Sequence, residues 1–126
     1  MADVLIVAPV DAAQFDALLA MAGPSIAKDL LAQLRLDFLA AKLALLAAGQ
    51  AMDLPQIRAQ SHVILGLAGT IGAAQAGTLA RDLNTAAQDP MADQLARSAM
   101  IADLAKAIDA AIAFLLHHPS AQGRLA

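Results

Sequence analysis

The sequence predicts an all-α domain, and three observations carry that expectation. Of 126 residues, 34 are Ala and 21 are Leu, the strongest helix formers. Val and Ile together number 12 and aromatic residues make up 2%, so the residues that favour strands are scarce. Between clear stop signals, apolar residues recur at steps of three and four, the spacing of one helix face. The length allows a single domain, residues 1–126. Substantial helices joined by short connections alternate in direction, so the expected architecture is an antiparallel up-down-up-down four-helix bundle with an additional short N-terminal helix.

Each element has its own signals. After a short extended lead-in over residues 1–10, Asp11 reads as an N-cap with Gln14 three residues on, a capping-box pattern. Phe15, Leu18, Leu19 and Ala22 share a face, and Gly23-Pro24 stops this first helix. A second helix is expected from about Ser25 to Ala48, with Ile26, Leu30, Leu34, Phe38, Ala41 and Leu45 at helical spacing and Gly49 ending it. Asp53 opens a third, with Gln56 at its third position and Pro55 in the tolerated first turn. It runs to about Thr70, where Ile71-Gly72 breaks it. A fourth, weaker helix spans about residues 73–87, with Ala76, Leu79, Ala80 and Leu83 on its apolar side. Asp89-Pro90 reads as an N-cap followed by Pro at the first helical position, starting a last helix of about 27 residues. Its stripe is Ile101, Leu104, Ile108, Ile112 and Leu115, and His117-His118-Pro119 ends it.

Charge and composition exclude several classes of function. Eight Lys and Arg stand against eleven acids, all Asp, for a net charge of −3. There is no basic field for a phosphate backbone and almost no aromatic stacking platform, so nucleic acid is not an expected ligand. The lack of Glu removes the usual Glu–Lys pairing along helix faces, and the hydrophobic content argues against disorder. Without Cys there is no disulfide, thiolate metal site or cysteine nucleophile. The continuous apolar run 63–71 is too short to span a membrane, and residues 4–10 lack the basic flank of a signal segment. A soluble, cytoplasmic monomer is expected. His117 and His118, adjacent at a helix C-terminus, suit the helix dipole better than a metal, whose helical ligands need three- or four-residue spacing.

The third helix carries the chemistry. On a wheel of about 100° per residue, Ile57, Ile64, Leu67, Ala68 and Ile71 cluster opposite His62 and form the expected core face. The His62 side holds Arg58 and Ala59 one turn before, Leu65 and Gly66 one turn after, and Gly69 two turns after. A lone His in an Ala/Leu-rich helix is more often structural, but this one points away from the apolar stripe. Each mid-helix Gly costs about 0.5–1 kcal/mol relative to Ala, in a chain that uses Ala freely. Glycines beside an exposed imidazole leave its ring open to close approach by another macromolecule.

The segment Ser61-His62-Val63-Ile64-Leu65-Gly66-Leu67-Ala68-Gly69-Thr70-Ile71-Gly72-Ala73 resembles the signature of histidine-containing phosphotransfer (HPt) domains, roughly His-x-Leu-Lys-Gly-x-Ala-x-x-Ile/Leu-Gly-Ala. His62 falls on the phosphoacceptor, Ile64 on the apolar third position and Gly66 on the glycine one turn on; Ala68, Ile71, Gly72 and Ala73 match as well. With the Pro-Val-Asp start, the short first helix and the long Leu/Phe helix, the resemblance covers about residues 9–116. It implies a bacterial phosphocarrier of two-component signalling. Its exposed His relays phosphoryl groups between aspartates of response-regulator receiver domains, or from a hybrid histidine kinase. The chain departs from the family at Leu65, where Lys is usual and helps to neutralise the phosphoryl group. Arg58, one turn before His62 on the same side, is the candidate replacement; a solvated surface role is the alternative. Asn84 of the fourth helix is a further candidate to reach the His62 ring.

The chemistry expected of such a site is nucleophilic. A neutral imidazole keeps a lone pair on one ring nitrogen, and in-line attack on an aspartyl phosphate would give a phosphohistidine. Mg²⁺ would come from the receiver's acidic pocket, because no carboxylate cluster in this chain suggests a site for one. The chain would then need no cofactor of its own and would not act as an autonomous kinase or other enzyme. The expected site is thus His62 as nucleophile, with Arg58, Leu65, Gly66 and Gly69 contacting the phosphoryl group or partner. Two other readings use the same residues. One keeps the HPt-like bundle as a docking module for a receiver or kinase without phosphotransfer. The other takes residues 62–65 as a strand and 66–72 as the glycine loop of a nucleotide-binding oxidoreductase, with the pyrophosphate on a helix N-terminus.

Overall fold

A computed structural model describes residues 10–122, and every regular element in it is helical. The helices are α1 (Ala12–Ala22), α2 (Pro24–Gln50), α3 (Leu54–Ile71), α4 (Ala74–Ala86) and α5 (Gln94–His117), followed by a 3₁₀ turn, Pro119–Gln122. No strand occurs among the described residues. The lead-in expected over residues 1–10 lies, Val10 apart, outside the described residues. Residues 62–71 continue one uninterrupted helix, so the strand and glycine turn required by a nucleotide-binding loop are not formed there. Gly66 and Gly69 are helical residues with helical neighbours.

The caps follow the residue types that predict them, with one difference. Asp11 and Asp53 accept from the backbone N–H groups of Gln14 and Gln56 at 3.2 and 3.1 Å. The reciprocal half of a capping box is missing because the cap N–H groups are already engaged. Asp11 donates to the Gly72 carbonyl at 2.9 Å and Asp53 to that of Ala48 at 2.9 Å. Each cap therefore ties its helix to an earlier or spatially adjacent helix end.

Two boundaries differ from expectation. Gly49 does not end α2; it lies inside the helix, where a Cβ would stand 2.9 Å from Ile101 Cδ1. Its missing side chain leaves room for the end of the Ile101 side chain of α5. The reversal falls at Met52, whose φ of 54° is left-handed, a conformation that costs an L-residue roughly 1–2 kcal/mol. Asp89-Pro90 does not start α5 either. The Asp89 carboxylate takes the Met91 N–H at 2.9 Å, a local turn, while Asp93 caps the helix through the Leu95 N–H at 2.9 Å. The buried Arg97 fixes this connection by donating to the carbonyls of Ala92 at 3.0 Å and Asp89 at 3.4 Å. α5 is accordingly shorter than the sequence suggests.

α2 packs on α3 and α5, and α4 packs on the same two helices, so the four long helices enclose one core. Phe38 and Leu45 of α2, Ile64 and Ile71 of α3, Leu83 of α4 and Leu104, Ile108 and Leu115 of α5 are fully buried there. α1 lies against α2 and α3, inserting Phe15 and Leu19. His118 locks the far end. Its Nε2 meets Asp16 Oδ1 at 2.8 Å, its Nδ1 accepts from the Ser120 N–H at 3.1 Å, and its ring packs on Phe15 and Phe114. His117 meets the Ala113 carbonyl through Nδ1 at 2.8 Å, as suits a cation or donor at a helix C-terminus.

Gly72 sets how α1 meets the end of α3. It closes α3 in the left-handed conformation, φ 76°, and a Cβ there would stand 2.8 Å from Asp11 Cβ. Gly72→Ala combines a left-handed penalty with a clash against a side-chain root that cannot swing away. It is expected to lower unfolding free energy by about 2 kcal/mol or more. A urea titration checks this, and an unchanged midpoint would contradict it.

Candidate functional site

Exposure along α3 runs in an arc that includes Arg58, Ala59, His62, Val63, Gly66 and Gly69. Ile57, Ser61, Ile64, Ala68 and Ile71 are buried on the other side. Leu67, expected on the core face, is half-buried at its edge. His62 projects outward from the arc. Neither of its ring nitrogens has a hydrogen-bond partner among the described residues, whereas His117 uses Nδ1 and His118 uses both nitrogens. His62 is thus the histidine whose lone pair is free for an external electrophile. Its neighbour Ser61 is buried, with its hydroxyl donated to the Ile57 carbonyl at 2.7 Å, which leaves no stray hydroxyl beside the ring.

The two glycines are open in a physical sense. A Cβ at Gly66 or Gly69 would meet nothing within 4 Å. No packing within the molecule requires glycine at either position, and Ala would be the better helix former. Gly66→Ala and Gly69→Ala are each expected to raise unfolding free energy by about 0.5–1 kcal/mol. Thermal melts check this; a lowered midpoint would reveal an internal contact at these positions. The same methyl groups would crowd anything that approaches the His62 ring along the helix.

Leu65 does not stand out from the surface as a Lys would. It is half-buried against the core, and its Cδ1 lies 3.8 Å from where a Cβ of Gly77 would be. Gly77 thus lies beside Leu65 in the seam between α3 and α4, where a methyl group would make an ordinary van der Waals contact. Arg58 is exposed, one turn before His62.

Asn84 does not reach the His62 ring. Its Nδ2 donates to the Arg58 carbonyl at 3.1 Å, and its Oδ1 accepts from Gln88 Nε2 at 2.9 Å. The Arg58 carbonyl is also the acceptor that the α-helical ladder pairs with the His62 N–H. Asn84 therefore pins α4 to the turn that carries His62, acting on the backbone rather than on the imidazole. That contact and the one at Gly77 show α4 running back along α3.

A groove of about 390 Å³ opens beside this seam, lined among others by Leu65, Gly69, Gly77, Arg81 and Asp11. The period of α4 alone does not single out Arg81. The signal in the sequence is the run Gly77, Arg81, Asn84 and Gln88 at steps of four, three and four beside the apolar side of α4. It identifies a shared edge, but the residues it faces depend on helix packing. No protein-family model, curated protein or solved structure matches the chain. The site's chemistry therefore rests on its own geometry and on the resemblance of residues 61–73. No group of three or more His, Cys, Asp or Glu side chains stands together among the described residues, and no described helix is long and apolar enough to cross a membrane.

Proposed function

We propose that this chain is a phosphorelay intermediary that accepts a phosphoryl group on His62 from a receiver-domain aspartate and passes it to another receiver. The observation that carries the proposal is an outward imidazole free of hydrogen bonds, flanked by helical glycines that no internal contact requires. The reading extends to the topology: the mutual packing of α2–α5 and the short connections at 51–53 and 72–73 support an up-down-up-down four-helix bundle preceded by α1.

In the transfer, the lone pair of a neutral His62 nitrogen forms the N–P bond as the acyl O–P bond of the aspartyl phosphate breaks. The aspartate leaves with the electron pair as a carboxylate, and the second ring nitrogen keeps its proton. Mg²⁺ belongs to the receiver in this scheme. The partner is a receiver domain or a hybrid histidine kinase, the compartment is the cytoplasm, and the chain acts as a monomeric carrier rather than as an autonomous enzyme. Leu65 favours a second reading, docking without transfer, because its side chain is folded into the seam and supplies no charge.

Incubation of the purified protein with phosphorylated receivers and Mg²⁺ tests the proposal. Acid-labile label on the chain is the expected result. Its absence across a broad receiver panel would overturn phosphotransfer and leave the docking reading.

A further inference from the structure

With Leu65 in the seam, the phosphoryl group on His62 would need its countercharge from elsewhere. Two independent contacts set the register of α4 against α3: Asn84 Nδ2 on the Arg58 carbonyl at 3.1 Å, and Gly77 against Leu65 and Ala68 at 3.8 Å from its would-be Cβ. Arg81 lies one helical turn from each of these α4 residues, and His62 lies between the corresponding α3 residues. The register therefore brings Arg81 to the level of His62. It also puts Arg81 on the side toward which Leu65 leans, and Arg81 lines the groove that Leu65 and Gly69 line.

The charges on and against this part of α3 are of both signs. α3 contains no acid, and its charged side chain is Arg58. α4 carries Arg81 and Asp82, both exposed. Asp11, the N-cap of α1, borders the same groove with an anionic carboxylate that accepts from the Gln14 N–H, and Asp37 of α2 lines a groove with Gln60, Val63 and Leu67 on the other side. In a chain of net charge −3, Arg58 and Arg81 are the cations that α3 and α4 carry. Neither guanidinium has a carboxylate partner among the described residues.

We propose that Arg81, carried by α4 to the level of His62, neutralises the phosphoryl group borne by His62 and takes over the role of the cation missing at position 65. This rests on the phosphocarrier reading and adds a residue to it. A guanidinium reaching across from the neighbouring helix offers a fork of N–H donors to phosphoryl oxygens, whereas a Lys on the same helix would offer a point charge.

Phosphoramidate allows the test to proceed without a partner: the lone pair of His62 forms an N–P bond, the P–N bond of the reagent breaks, and the nitrogen leaves as ammonia with the proton lost from the ring. ³¹P NMR then follows the ionisation of the phosphoryl group with pH in wild type, Arg81→Gln and Arg81→Lys, the His62 resonance being the one missing from His62→Gln. A nearby cation favours the dianion. Loss of the Arg81 charge should therefore raise the titration midpoint by about half a pH unit, a modest shift because the site is exposed to solvent. Arg81→Lys should restore most of the difference. In parallel, transfer from a phosphorylated receiver should slow roughly tenfold in Arg81→Gln.

An identical midpoint in wild type and Arg81→Gln overturns the proposal, as does failure of His62 to take the label. Failure of the phosphocarrier reading looks different. Receivers would then leave wild type unlabelled, while the chemically introduced phosphoryl group would still titrate according to the charge at position 81.

Discussion

His62→Gln should abolish acid-labile labelling by phosphorylated receivers while leaving the fold as it was. The side chain is exposed and makes no hydrogen bond among the described residues, so its replacement removes no packing and orphans no partner. A surface change of this kind stays within about 0.5 kcal/mol, and Gln is the better helix former. The effect on transfer should be total, because the amide of Gln offers no nitrogen lone pair for attack on phosphorus. The other histidines cannot substitute: His118 is held at both nitrogens and His117 lies at the distant end of α5. Circular dichroism and a thermal melt alongside the transfer assay separate the two consequences. Residual label on His62→Gln would place the acceptor elsewhere, and a large fall in melting temperature would mean that His62 is structural after all.

The second large effect falls on the core. Phe38 is fully buried in the middle of α2, where α2 faces the other long helices. It is one of three aromatic residues in the chain, and the remaining core is mostly Leu, Ile and Ala. Ala-lined surfaces have little side chain with which to fill a void, so Phe38→Ala should leave an uncollapsed cavity. The expected cost is about 3–5 kcal/mol, a large share of the 5–15 kcal/mol typical of a native domain. A urea titration should show the midpoint falling steeply or the cooperative transition disappearing. A loss below about 1 kcal/mol would indicate that α2 repacks around the missing ring. Phe38→Leu, which keeps most of the volume, should recover much of the loss.

Much of the fold is legible in the sequence, and the reason is local. Asp11 and Asp53 cap helices through contacts three residues away, and Gly23-Pro24 and Gly72 stop helices through their own backbone preferences. These effects do not depend on the rest of the molecule. The boundaries that differ from expectation depend on distant partners. Gly49 looks like a terminator in isolation, but it stays within α2, where a side chain would push on the end of Ile101 of α5. Asp89-Pro90 looks like a helix start, yet Asp89 uses its carboxylate on the Met91 N–H in a turn that Arg97 also holds, and Asp93 caps the helix instead. The site divides in the same way. The outward direction of His62, and the exposure of Arg58, Gly66 and Gly69, follow from the period of one helix. The inward lean of Leu65, the bond from Asn84 to the Arg58 carbonyl and the place of Arg81 in the groove beside Leu65 all need the register of α4 against α3, which no single-helix pattern contains.

The open glycines at 66 and 69 have a consequence for anyone who engineers this chain. Ranking variants by heat resistance would favour alanine at both positions, since each methyl group gains helix stability and collides with nothing inside. On the phosphocarrier reading, selection for partner recognition would act in the opposite direction at the same two positions. On that reading a thermostabilised descendant would lose its approach to His62 early, while every measure of folding improved.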